Sequence, residues 1–300
     1  MMSDNTFKSG FVSIIGRPNV GKSTLLNAIL GEKVSIVSDK PQTTRNRILG
    51  IRTLPGTQVI FIDTPGIHKP KHKLNEYMVK TALHTLDEVD IVLFMTEAGE
   101  SIGGGDRYII ERLKDVKKPV FLLINKIDLV QKSLLLPLID EFSRLYNFAE
   151  VFPVSALHGD NVSVLYDAIA SRLPEGPQYF PEDAVTDQPM RFIAAELVRE
   201  KIFQLTYEEI PYSIAVGIEE FREEKEKNVV FIRAVIFVDK DSQKGMVIGK
   251  GGTVLKKVGQ LARKDIEAIM GIKVFLELWV KVKSGWRGDE SVLRMLGYKI

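Results

Sequence analysis

The sequence predicts an α/β protein of two domains: a first built on a mainly parallel sheet with one antiparallel hairpin, and a smaller α/β module behind it. Three observations carry this. Short apolar runs alternate with helical patterns through residue 175. A break dense in Pro and Gly follows at Leu173-Pro174-Glu175-Gly176-Pro177, with Pro181 and Pro189 beyond it. The rest of the chain then reads helix, strand, strand, helix, helix, strand. Three hundred residues also exceed one ordinary core.

In the first part, Phe11–Ile15, Val59–Ile62, Ile91–Met95, Val120–Ile124 and Val151–Val154 are short, apolar, and bounded by Gly, Pro, Asp or Asn; they read as strands. Gly21–Leu30, Leu74–Leu86, Arg107–Leu113, Leu134–Tyr146 and Val162–Leu173 read as the helices between them. Such alternation implies a parallel sheet covered by helices. Ile48–Thr53 and Val59–Ile62 flank Pro55-Gly56, a turn signal that predicts the hairpin. The first domain is expected over residues 1–175, a linker over 176–190, and the second domain with a C-terminal tail over 191–300. There the expected elements are a helix (Arg191–Leu205), strands (Ser213–Phe221 and Val229–Val238), a short helix, a longer one (Val254–Met270) and a strand (Lys273–Val282).

Composition narrows the chemistry. No cysteine is present, which excludes disulfides, thiol catalysis and cysteine-ligated zinc. No apolar run reaches the roughly 20 residues that span a bilayer, no secretory signal or lipidation motif is visible, and a reducing cytoplasm is expected. Charge is uneven: Glu182–Asn228 carries twelve acidic and six basic side chains, and Asp239–Arg287 five acidic and eleven basic. The second segment suits a surface that meets a polyanion.

The first strand runs into Gly16-Arg17-Pro18-Asn19-Val20-Gly21-Lys22-Ser23-Thr24, a G-x-x-x-x-G-K-[ST] string with a helix behind it. Glycines let the backbone curl its N–H groups toward phosphate oxygens, and the helix presents its positive end to the same anion. Lys22 supplies a full charge, and the Ser23 hydroxyl is a hard ligand for Mg²⁺. The strand Val120–Ile124 ends in Asn125-Lys126-Ile127-Asp128, where ligands of open parallel sheets bind. Asp128 can accept from the ring N–H and the exocyclic amine of guanine together, a pair that adenine lacks. Asn125 can brace the loops, the Lys126 stem can cover the base, and a backbone N–H of Ser155-Ala156 can meet the guanine oxygen. Asp63-Thr64-Pro65-Gly66 closes another strand; Asp63 suits Mg²⁺ through water, and the Gly66 N–H a γ-phosphate. Thr43 and Thr44 are both candidate hydroxyl ligands in the preceding polar loop, with Thr44 preferred. His68 to Lys73 reads as a solvated basic loop rather than a metal site.

In the second domain, Val247-Ile248-Gly249-Lys250-Gly251-Gly252 forms a G-x-x-G turn between two helices, where bare glycines let a nucleic-acid backbone approach. Lys244, Lys250, Lys256, Lys257 and Arg263 are candidate phosphate contacts, with bases against Ile248, Val254 and Leu255. A second G-x-x-G, Gly285 to Gly288, reads as an incidental tail loop.

The set GRPNVGKS, QTTR, DTPG, NKID and SA resembles the translation-factor-related family of GTPases. With DSQKGMVIGKGG and the basic helix behind it, nearly the whole chain resembles the Era family of bacterial ribosome-assembly GTPases. The resemblance implies a P-loop GTPase domain followed by a type II KH domain. It implies GTP/GDP and magnesium as ligands, with Lys22, Asn19, Thr44 and Gly66 serving hydrolysis. It also implies the 3′ end of 16S rRNA and the 30S ribosomal subunit as partners of a monomer, with peripheral contact at the cytoplasmic face of the cell membrane. Ile67 stands where Ras-like GTPases carry a water-orienting Gln, so intrinsic turnover should be slow. An Asn at the place of Asn19 helps related GTPases bind potassium, so potassium is expected to stimulate hydrolysis.

Overall fold

The structure, a computed structural model, describes residues 6–67 and 73–298. The basic run from His68 to His72 lies outside the described residues. Two compact units emerge: residues 6–35, 44–67 and 78–187 form one, and residues 36–43, 73–77 and 188–298 the other.

The first unit holds six strands: β1 (Lys8–Gly16), β2 (Ile48–Leu54), β3 (Thr57–Asp63), β4 (Ile91–Glu97), β5 (Val120–Asn125) and β6 (Glu150–Pro153). Their order is β2-β3-β1-β4-β5-β6, with β2 antiparallel to β3 and every other pair parallel. The helices are α1 (Lys22–Leu30), α2 (Lys73–Glu88, from residue 78 onward in this unit), α3 (Gly104–Leu113), α4 (Leu135–Leu145) and α5 (Val162–Arg172). Alternate side chains of the buried strands enter opposite cores, as period-2 geometry requires. Ile14, Leu93 and Met95 pack with Leu25, Leu26 and Ile169 on one face; Ile15, Val92 and Phe94 pack with Ala82, Ile109 and Phe142 on the other. β1 starts three residues before its apolar run because Lys8, Ser9 and Gly10 pair with Thr57, Gln58 and Val59. The Pro-rich stretch expected as a linker lies along this unit: Ile51 N donates to Val185 O at 2.8 Å, and the Gln58 side chain holds Tyr179 N and Phe180 N.

The second unit holds α6 (Met190–Leu205), α7 (Ile210–Ser213), β7 (Ala215–Glu224), β8 (Val229–Val238), α8 (Asp241–Ile248), α9 (Thr253–Met270), β9 (Lys273–Val282) and α10 (Glu290–Met295). β7 and β8 are antiparallel, β8 and β9 parallel. α6 and α9 supply Val198, Ile202, Val258 and Ala262 to a core completed by Ala234, Ile236 and Val280 of the sheet. The expected αββααβ order is present, with one helical turn added before β7 where Pro211 suits a first-turn position. Residues 36–43 belong here because Ile36 packs with Ile193 and Leu197, while Lys40 donates to the end carbonyls Phe203 O and Thr206 O of α6. In the second G-x-x-G, Trp286 is fully buried and its indole donates to Ser213 O at 2.9 Å. That turn is therefore a core anchor. Among the described residues no helix is long and apolar enough to cross a membrane.

Candidate nucleotide and nucleic-acid sites

In the first unit, the carboxyl ends of β1, β3 and β5 converge, and β1 lies between β3 and β4 where the connections change direction. This is the ligand crevice of an open α/β sheet. Gly21 has φ +103°, and a Cβ there would stand 2.2 Å from Asn125 Nδ2, so only glycine fits between the phosphate loop and the base loop. The Lys22 ammonium is buried in the curl and donates to Arg17 O at 2.8 Å and Gly16 O at 3.3 Å. Burial holds its pKa down to about 8, against the opposing pull of Asp63.

Asp63 is completely buried. Its Oδ2 accepts from Ser23 Oγ at 2.7 Å, Ser35 Oγ at 2.8 Å and Thr44 Oγ1 at 3.4 Å, and Ser23 Oγ and Thr44 Oγ1 are 2.9 Å apart. Burial pushes the carboxyl upward; the hydroxyls and the Lys22 charge act the other way. Asp63 Oδ1 is buried without a hydrogen-bond partner among the described residues. Hydroxyl oxygens gathered on one carboxylate oxygen, with the other orphaned, form a hard donor set that fits Mg²⁺. Thr43 stands apart: its hydroxyl donates to Lys40 O at 2.6 Å. Thr44, the preferred of the two, is the one beside Asp63.

Asn125 braces two loops as expected, donating to Val20 O at 2.8 Å and accepting from Ala156 N at 2.9 Å. Lys126 adopts φ +64° and pairs with Glu97 at 2.6 Å. Asp128 accepts from Ser155 Oγ at 2.5 Å. Ala156 N donates to Asn125 Oδ1 at 2.9 Å and Ser155 N to Asp160 O at 3.1 Å. The S-A step thus stiffens the base loop.

The side chains of Val20, Ile67, Thr64 and Arg17 are engaged within the fold. Val20 and Ile67 bury their side chains in opposite cores, and Ile67 N donates to Gly16 O at 3.0 Å. The Thr64 hydroxyl is tied to Ile14 O at 2.7 Å. The Arg17 guanidinium is held by Asp106 at 2.9 Å and Glu100 at 2.7 Å. Sequence reasoning missed Asp106, Glu100, Ser35 and Asn27 because no local pattern marks them.

In the second unit, α8 and α9 meet at the glycine turn, where Gly249, Gly251 and Gly252 all have positive φ. A Cβ on Gly249 would lie 2.9 Å from Val254 N, whereas Gly251 faces open space. Lys250, Lys256, Lys257 and Arg263 are exposed, and Lys244 half-buried. A groove of about 470 Å³ runs beside the turn, lined by Gly252, Leu255, Lys256, Gly259, Gln260, Arg263, Leu276 and Leu278. Of the three side chains expected to line a base groove, Leu255 is on this wall; Ile248 and Val254 are half-buried against the same core as Leu255, Leu276 and Leu278. A signal for the helical part was present: Lys256, Gly259, Gln260 and Arg263 recur at one-face spacing.

Comparison with known proteins places these sites in context. Residues 11–126 match the family model described as 50S ribosome-binding GTPase, and residues 209–287 match the KH domain model. The chain is similar to a single-residue variant of Aquifex aeolicus Era crystallised with GDP and AlF4⁻, at 46% identity and a TM-score of 0.95, over 98% of this chain and 100% of that one. It is equally similar, by the same four measures, to Era in complex with MgGDPNP and nucleotides 1506–1542 of 16S ribosomal RNA.

Proposed function

This chain belongs to the Era family of GTPases, and from that premise we propose that it binds the 3′ end of 16S rRNA as a GTP-gated factor in 16S rRNA maturation and 30S subunit assembly. The observation that carries the reading is the union, in one chain, of a GTPase module and a KH module alike over their whole length to Era crystallised with that RNA. In this reading residues 1–175 are the GTPase domain and residues 191–300 the KH domain.

The backbone of Gly16–Thr24 cradles the phosphates and Lys22 neutralises them. Ser23, Thr44 and Asp63 hold magnesium, which when bound offsets charge on the β- and γ-phosphates. Asn125, Lys126 and Asp128 hold guanine, and Gly66 reads the γ-phosphate. Ile67 is buried at 1% exposure and has no group to orient water, so intrinsic hydrolysis is slow. Asn19, at φ +65° inside the phosphate loop, is proposed to help bind a potassium ion that stabilises the transition state. Single-turnover hydrolysis should therefore be faster in potassium than in sodium; equal rates would remove Asn19 from that role. RNA phosphates meet Lys244, Lys250, Lys256, Lys257 and Arg263, and the turn Ile248–Gly252 admits the backbone. The same reading puts a monomer in the cytoplasm, with reversible contact at the inner membrane face as a secondary use of the basic surface.

The test is anisotropy of a labelled RNA carrying the 16S 3′ sequence, titrated with protein in GDPNP and in GDP. The expected result is tighter binding in GDPNP than in GDP, preference over a scrambled RNA, and affinity falling steeply with salt. Equal binding to scrambled RNA would overturn the RNA assignment. Tighter binding to anionic vesicles than to RNA would make the membrane the principal partner.

A further inference from the structure

Three hydroxyls converge on one oxygen of Asp63, yet only two belong to the proposed metal site. The third, Ser35 Oγ, is fully buried and donates to Oδ2 at 2.8 Å. Its backbone is fixed by one side chain of α1. Asn27 Oδ1 accepts from Val34 N and Ser35 N at 3.0 Å each, and Asn27 Nδ2 donates to Ser35 O at 2.7 Å. Ser35 is therefore anchored to the helix that carries Lys22 and Ser23 at its start, while its hydroxyl reaches the end of β3.

We infer that Ser35 is a positioning residue for magnesium, acting through Asp63 and held in place by Asn27. When Ser23 and Thr44 turn their oxygen lone pairs toward a cation, their positions are set by the ion as well as by the fold. Ser35 is the donor of the three that the fold alone holds on Oδ2, and it fixes the carboxylate whether or not the ion is bound. Outer partners of this kind fix the direction of a carboxylate and raise metal affinity without touching the ion. The inference rests on the reading of Ser23, Thr44 and Asp63 as the magnesium site.

The test is the release rate of fluorescent GDP from the full chain, titrated with magnesium from an EDTA-containing start. Ser35→Ala should raise the magnesium concentration for half-maximal slowing by about 10–100-fold. It should leave the rate at saturating magnesium, and GDP affinity in EDTA, at the parent values. Ser35→Cys, near in size with a weaker donor, should fall between Ser35→Ala and the parent, and either variant suffices should the other not fold. The proposal is overturned if both half-points equal the parent while that of Asp63→Asn rises, or if GDP affinity in EDTA drops as much as the magnesium response. If Asp63→Asn also leaves the half-point unmoved, the magnesium-site reading itself is at fault.

Discussion

Replacing Asp128 with Asn should weaken GDP binding by about a thousandfold and turn the preference toward xanthosine diphosphate. Guanine presents two donors on this edge, the ring N–H and the exocyclic amine, and a carboxylate accepts both. An amide keeps one acceptor and sets its own NH2 against a donor, leaving a buried polar group without a partner. Xanthine carries a carbonyl in place of the amine, so the amide regains both bonds and the carboxylate becomes the misfit. The fold should survive, since Asp128 accepts from Ser155 Oγ and an amide oxygen can take the same bond. Equilibrium titration of both diphosphates against parent and variant reads the outcome. An unchanged GDP affinity in Asp128→Asn would mean that the base lies elsewhere.

That residue could be found in the sequence because its neighbours fix its position. A strand that ends in Asn-Lys-x-Asp carries the geometry with it: β5 ends at Asn125, and the tetrad lies at the sheet's ligand-binding end. β9 was legible over its full span, Lys273–Val282, because the run is rich in β-branched and aromatic residues. What the sequence hides are contacts made across the fold. Ser35 matters only because Asn27, eight residues earlier, and Asp63, 28 residues later, close on it. Arg17 lies within the phosphate-loop string, but that its guanidinium is held by Asp106, on α3, no local pattern shows. The groove wall was half legible. Its helical residues share one face, but Leu276 and Leu278 read as ordinary strand interior until α9 is laid beside β9. The bond from Ala156 N to Asn125 is likewise made across the fold, between loops 31 residues apart in the chain.

Among changes in the second unit, Gly251→Asp should cost the most RNA affinity for the least damage to the fold. Gly251 has φ +62° and open space where a Cβ would stand. Asp visits this left-handed region more readily than most residues, so the backbone penalty is of order 1 kcal/mol. The effect on RNA is larger. A carboxylate would lie beside Lys250 and Gly252, in the gap through which a phosphodiester must pass, adding bulk and like charge at once. We expect RNA affinity to fall about 10–100-fold, with a shallower salt dependence because fewer phosphate contacts form. Lys250→Ala gives the calibration: it removes one phosphate contact, reduces the salt slope by about one, and weakens every RNA sequence alike. Gly249→Asp serves as the contrasting case, since its Cβ would lie 2.5 Å from Val254 Cγ2 and 2.9 Å from Val254 N, and it should lower the melting temperature of the second unit. GTP hydrolysis without RNA should be the same in Gly251→Asp as in the parent. Parent-like RNA affinity in a folded Gly251→Asp protein would show that nucleic acid does not cross the turn, and would move the candidate interface away from Gly249–Gly252.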